Sequence, residues 1–111
     1  MTDGYNLYRF LSAQEPVYDT VLDELRAGRK SSHWIWFIFP QITGLGRSAM
    51  AQKFAIGSLN EAKAYLKHPV LGPRLRECTQ LVLDVKGRSA KEILGYPDHL
   101  KVRSCMTLFL T

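Results

Sequence analysis

One run of six bulky apolar residues constrains this chain more than any other segment. It spans residues 34–39, Trp-Ile-Trp-Phe-Ile-Phe, and contains both tryptophans of the protein. Its β-branched and aromatic content suits a buried strand, but a short and fully buried helix fits the same pattern. A loop rich in glycine and polar residues, 41–48, follows at once. The densest core and a candidate anion-binding backbone are therefore neighbours, and this is where we expect a site.

Length and composition indicate one ordinary globular domain. A chain of 111 residues has room for a single core, and 46% apolar with 23% charged residues is far from the composition of a disordered segment. No stretch approaches the roughly 18–20 apolar residues of a membrane-spanning helix. The first six residues lack the basic and apolar regions of a secretion signal. We therefore expect a cytoplasmic protein with no membrane partner.

Basic residues are concentrated in the later part of the chain. Residues 1–28 carry five acidic and two basic side chains, a balance of −3, whereas residues 29–111 carry thirteen basic and five acidic ones, a balance of +8. No acidic residue occurs between Glu24 and Glu61. This excess of positive charge creates an electrostatic potential that favours an anionic partner. A basic face that only maintains solubility would have the same composition. We do not expect nucleic acid to be the partner, because the tryptophans lie in an apolar run that should be buried.

Helical spacing and helix-end signals recur through the rest of the chain. Ser58 with Glu61, and Ser89 with Glu92, have the capping-box pattern that begins a helix. Met50 is expected among the buried residues of its helix. Helices are predicted over residues 6–13, 16–28, 48–56, 58–67, 71–86, 89–95 and 98–110.

Cysteine and histidine do not form a recognisable metal pattern. Cys78 and Cys105 are far apart and are expected to be reduced thiols packed as small hydrophobic residues. His33, His68 and His99 are also scattered in the sequence. We therefore expect neither a metal ion nor another cofactor.

The segment 44–49, Gly-Leu-Gly-Arg-Ser-Ala, matches the dinucleotide-binding pattern G-x-G-x-x-A. It follows the aromatic run and precedes a helix, as the pattern requires. A Rossmann unit also needs a second parallel strand, and residues 57–111 show helical spacing almost throughout. A weaker interpretation remains, in which Arg47 and the first amides of the Ser48 helix bind a phosphate. An ordinary loop with a helix cap is the alternative.

Nucleophilic catalysis is not indicated. Ser32, His33 and Ser48 have the right functional groups, but the sequence holds no G-x-S-x-G elbow and no acidic residue close to His33. The sequence assigns no catalytic residue.

Four segments together resemble one bacterial family of unknown function, whose members are often labelled calpastatin. They are residues 32–41 (SHWIWFIFPQ), 44–48 (GLGRS), 68–75 (HPVLGPRL) and 100–109 (LKVRSCMTLF). The resemblance implies a mainly α-helical fold, so that the aromatic run is helical as well. It also implies a further helical segment of about thirty residues beyond the end of this sequence. The calpastatin label does not suit a compact, apolar chain.

We therefore predict an all-α, compact multi-helix single domain over residues 1–111, with a basic and aromatic pocket. Its ligand is expected to be a phosphorylated small molecule or an ADP-ribose-like nucleotide; residues 64–75 are faintly similar to a helix of the NADAR family, whose members process such nucleotides. The predicted ligand-binding residues are His33, Trp36, Gln41, Arg47, Ser48, Lys101 and Arg103. Arg47 and Ser48 would hold phosphate, and Trp36 would stack on a ring.

A non-catalytic domain that forms a homodimer through its last helix is the alternative function. Val102, Met106, Phe109 and Leu110 form an apolar stripe that the family's further segment would be expected to cover. The stripe could instead pack inward, against the helix that contains Leu75.

Overall fold

Helices make up the regular structure that the computed structural model describes, which comprises residues 4–44, 48–85, 87, 89–95 and 98–109. The helices of this described part are α1 Tyr8–Gln14, α2 Tyr18–Arg26, α3 Ile35–Ile38, α4 Ala49–Lys53, α5 Leu59–Lys67, α6 Leu71–Asp84, α7 Ala90–Leu94 and α8 Asp98–Phe109. No strand occurs among these residues, where one parallel bridge joins Ile42 to Ile56. The radius of gyration is 13.3 Å, close to the roughly 13 Å expected for one domain of this length. The prediction of an all-α single domain is confirmed.

The aromatic run folds as a buried helix and not as a strand. Trp34 precedes α3, and Trp34, Phe37 and Ile38 are all buried in the core. The carbonyl of Phe37 accepts a hydrogen bond of 2.7 Å from Nε2 of the buried Gln14 in α1. This bond satisfies one of the last carbonyls of α3, which have no partner within the helix.

Serine caps begin three of the helices. The hydroxyls of Ser48, Ser58 and Ser89 accept hydrogen bonds from backbone amides in the first turns of α4, α5 and α7. Ser89 and Glu92 form the complete capping box that the sequence predicts. At Ser58 the box differs from the prediction, because the Glu61 carboxylate accepts from the amide of Gly57, 2.9 Å away, and also pairs with Arg9.

Helix α4 is shorter than predicted. It ends at Lys53, because the following residues turn into an extended segment. There the amide of Ile56 donates to Gln41 and its carbonyl accepts from Thr43, at 2.8 and 2.9 Å. The prediction that Met50 is buried is wrong, since its side chain is 42% exposed.

Helices α5 and α6 approach each other closely at Gly72. A Cβ atom at this position would lie 2.1 Å from the carbonyl oxygen of Leu66, which no side chain tolerates. The glycine therefore allows the turn at His68 to bring the two helices together. Among the described residues, no helix is long and apolar enough to cross a bilayer.

The last helix turns only part of its apolar stripe into the core. Val102 and Leu108 are buried, and the ring of Phe109 lies 5.4 Å from that of Tyr65 in α5. Met106 and Phe109 remain partly exposed, whereas Leu110 lies outside the described residues. In the described part of the chain, α8 packs mostly against α7, α5 and α3, and Met106 touches α6 through the hydroxyl of Thr79. Both alternatives for the stripe therefore stay predictions.

Candidate functional site

A cleft opens beside α3, between the loop that precedes it and the starts of α4 and α8. Its volume is about 280 Å³. We call it the lysine-tryptophan cleft; its lining residues are Lys30, His33, Trp34, Ile35, Trp36, Phe37, Ser48, Met50, Asp98 and Lys101. Residues that are far apart in the sequence meet here because α8 packs against α3.

Asp98 stands between two lysines in this cleft. Its Oδ2 pairs with Nζ of Lys30 at 2.8 Å, and its Oδ1 pairs with Nζ of Lys101 at 3.2 Å. Burial alone would raise the pKa of Asp98, but hydrogen bonds from the two ammonium groups and their charges lower it below its usual value. The carboxylate therefore stays ionised, and the three groups together carry one net positive charge.

The two lysines differ in accessibility. The side chain of Lys30 is only 7% exposed, and its ammonium also donates to the carbonyl of Ser32 at 2.6 Å. Lys101 is 24% exposed, and its ammonium lies 4.4 Å from the ring centroid of Trp36. Lys30 is thus a structural ion-pair partner, and Lys101 is the cation that a ligand in the cleft can reach.

The loop that supplies His33 is fixed by a buried carboxylate on α2. Glu24 accepts hydrogen bonds from the amides of Ser31 and Ser32, at 2.7 and 3.0 Å, and from the hydroxyl of Ser32. Its Oε1 also accepts from the indole N–H of Trp34 at 2.9 Å. Burial opposes ionisation, but these hydrogen bonds, first that of the Ser32 hydroxyl, lower the pKa of Glu24 to about 2. Exposed His33 therefore stands on a rigid backbone.

Gln41 lies behind the cleft. It is buried, and its Nε2 donates to the carbonyls of Phe39 and Lys101, at 2.8 and 2.5 Å. The side chain therefore ties α8 to the segment that follows α3. This contact sets the position of Lys101 relative to Trp36.

Four of the seven residues predicted to bind a ligand line the cleft: His33, Trp36, Ser48 and Lys101. Gln41 supports it from behind. Arg103 is exposed on α8 and is not among the lining residues. Arg47 lies outside the described residues, so its predicted contact with phosphate stays a prediction.

Sequence reasoning missed three residues that shape the cleft, namely Glu24, Lys30 and Asp98. Asp98 had a signal, because an acidic residue directly after a proline is typical of a first helical turn. Glu24 and Lys30 had no such signal in the sequence. Their roles depend on a loop geometry and on a contact across 68 residues of chain.

His68 and the two cysteines have structural environments. His68 accepts hydrogen bonds from the amides of Val70 and Leu71 through Nδ1. Both thiols are buried, as expected. Burial raises the pKa of Cys78 to about 12 and that of Cys105 further, so neither is a reactive thiolate at neutral pH. Within the described ranges, no three His, Cys, Asp or Glu side chains cluster as metal ligands.

Residues 4–111 match the family model described as "Protein of unknown function (DUF1810)". The chain belongs to this family. It is the family that the four sequence segments resemble, and its description assigns no activity.

A solved structure extends this result to three dimensions. The crystal structure of the conserved hypothetical protein Rv1873 from Mycobacterium tuberculosis has a TM-score of 0.96 to this DUF1810 protein and 59% sequence identity. The match covers 97% of this chain and 77% of that one. No protein of curated function matches the chain.

Proposed function

We propose that this DUF1810 protein binds a phosphorylated small molecule that carries a planar ring, in the lysine-tryptophan cleft. A nucleoside monophosphate, or the corresponding part of an ADP-ribose-like nucleotide, has this chemistry. The observation that carries the proposal is the accessible Lys101 ammonium beside the ring of Trp36 in one concave site. No residue is assigned a catalytic role.

The charge of the cleft favours an anion. Asp98 neutralises one of its two lysines, so a net positive charge remains where Lys101 is accessible. The hydroxyl of Ser48 and the ring of His33 supply further hydrogen-bonding groups on the same wall. A phosphate that accepts from a cation and from neutral donors forms short, charge-assisted hydrogen bonds.

The size and the aromatic wall favour a small nucleotide. A volume of about 280 Å³ is at the lower end of the roughly 300–1,000 Å³ of small-molecule sites, so a mononucleotide fits better than a whole dinucleotide. Trp36 is half-buried, and its indole ring can stack on a nucleobase. Trp34 cannot, because it is buried in the core and bound to Glu24.

Isothermal titration calorimetry with AMP, ADP-ribose and inorganic phosphate tests the proposal. We expect wild-type protein to bind AMP and the variant Lys101→Gln to bind it at least about tenfold more weakly, since a charge-assisted contact is worth about 1.5–3 kcal/mol. The matched control is Lys63→Gln, which removes the same charge from the exposed side of α5, outside the cleft. Equal affinities of the two variants, or no binding by wild type, would contradict the proposal.

Self-association through α8 is a second candidate, and one feature favours it. A largely apolar groove of about 510 Å³ lies between α5, α6 and α8; it is lined by Leu66, Leu75, Arg76, Thr79, Gln80, Met106 and Phe109. A second copy of the chain could cover this groove. Sedimentation velocity over a hundredfold concentration range tests it, with Met106→Lys as the variant that should prevent association. A monomer at every concentration would exclude this candidate.

A further inference from the structure

The ammonium of Lys101 covers one face of the Trp36 ring. The ammonium of Lys101 lies 4.4 Å from the ring centroid, at the distance of a cation–π contact. Because both side chains line the same cleft, the covered face is the one that a ligand would meet. A planar group can therefore stack on this face only after the ammonium has moved away.

Lys101 can leave this position without leaving a buried charge unpaired. Its other partner is Oδ1 of Asp98, and Oδ2 of the same carboxylate keeps its 2.8 Å bond to the buried Lys30. The side chain of Lys101 is also partly exposed, so its movement needs no change in the core. Water can solvate the displaced ammonium, but an anionic group of a ligand would bind it more strongly.

We infer that Lys101 is a specificity-determining residue, which makes the cleft select ligands carrying both an anionic group and a planar ring. The inference rests on the proposed function and adds the selection rule. A phosphate draws the ammonium away from Trp36, and the uncovered ring then binds the base. A neutral nucleoside has to displace the ammonium without offering it a partner, so its binding is disfavoured.

The rule predicts opposite effects of one substitution on two ligands. In Lys101→Ala the ring is uncovered and the phosphate has lost its cation. We expect the affinity for AMP to fall at least about tenfold. We expect the affinity for adenosine to rise about two- to fivefold, which is the size of one exposed cation–π contact.

The experiment measures the affinities of wild type, Lys101→Ala and Lys63→Gln for AMP, adenosine and inorganic phosphate by calorimetry. Lys63→Gln should keep the wild-type preference for AMP over adenosine. Circular dichroism melts establish that each variant is folded. If Lys101→Ala is unfolded, Lys101→Gln provides the same comparison with a side chain of similar length and no charge.

The outcomes separate the two claims. If the variant binds AMP more weakly and adenosine no better than wild type does, Lys101 is only a phosphate ligand; the selection rule is then wrong and the proposed function stands. If wild type binds AMP and adenosine equally well, the rule is wrong as well. If wild type binds neither AMP, adenosine, inorganic phosphate nor ADP-ribose, the proposed function is wrong. The selection rule is then wrong as well.

Discussion

Two carboxylates, those of Glu24 and Asp98, hold the walls of the cleft in place. Each of them makes several hydrogen bonds or ion pairs. Glu24 fixes four donors of the loop before α3, and Asp98 pairs two lysines from distant parts of the chain. Removal of such a group leaves donors or cations buried without a partner. The cost of that is larger than the net value of the contacts themselves.

Glu24→Gln tests the loop contacts through their pH dependence. The native pKa of about 2 lies below the usual 4.5, so the ionised carboxylate stabilises the fold fully above about pH 4.5, and this contribution is lost as the pH falls towards 2. We expect the variant to lose about 2 kcal/mol at pH 7. The difference between wild type and variant should shrink as the pH is lowered, as measured by urea denaturation at several pH values.

Asp23→Asn is the matched control on the same helix, since this carboxylate is 81% exposed. It should change the free energy of unfolding by less than about 0.5 kcal/mol. A Glu24→Gln variant as stable as this control, with the same pH profile as wild type, would show that the loop does not depend on Glu24.

Asp98→Asn tests the ion pair with the buried Lys30. The amide that replaces the carboxylate carries no charge and has one acceptor oxygen, so the buried ammonium of Lys30 loses its counter-charge. We therefore expect a loss of about 3 kcal/mol of unfolding free energy. Glu15→Gln is the comparison, because it breaks the pair with Arg74 in which Glu15 is 64% exposed; it should cost less than about 1 kcal/mol. Thermal and urea denaturation measure both losses. If Asp98→Asn and Glu15→Gln lose the same unfolding free energy, the cleft is well hydrated around Lys30.

At the scale of elements, tertiary packing decides what local sequence leaves open. The aromatic run has strand propensity, yet it forms α3, because the described chain offers no strand to pair with and Gln14 satisfies a carbonyl at its end. Helix starts were predictable, since Ser48, Ser58 and Ser89 cap their helices as their sequence patterns indicate. The end of α4 was not, because a contact between Ile42 and Ile56 competes with the helix.

Gly72→Ala tests the close approach of α5 and α6. The new methyl group would overlap the carbonyl of Leu66, so the helices would have to move apart. We expect a loss of about 2 kcal/mol of unfolding free energy or more, despite the better helix propensity of alanine. Gln80→Ala, at an exposed site of the same helix, should be neutral within about 0.5 kcal/mol. A Gly72→Ala variant with wild-type stability would show that the two helices do not approach as described.

At the scale of the whole molecule, the fold class and the single domain followed from the sequence and its resemblance, and so did four of the ten residues that line the cleft. His33, Trp36, Ser48 and Lys101 come from segments that looked specific, and the fold brings them to one cleft. Lys30 and Asp98 could not be paired from the sequence, because their contact exists only after α8 packs beside α3. The charge excess after residue 28 favours an anionic partner but does not predict where such a partner would bind.

The measurement that tests the central claim most directly is an NMR titration of ¹⁵N-labelled protein with AMP. The chain has two tryptophans, and therefore two indole N–H signals to follow. We expect the Trp36 signal to shift saturably together with the amides of His33 and Lys101, while the Trp34 signal, held by Glu24, moves little. A titration that leaves Trp36 unchanged, or that shifts residues on another face of the molecule, would contradict the assignment of ligand binding to this cleft.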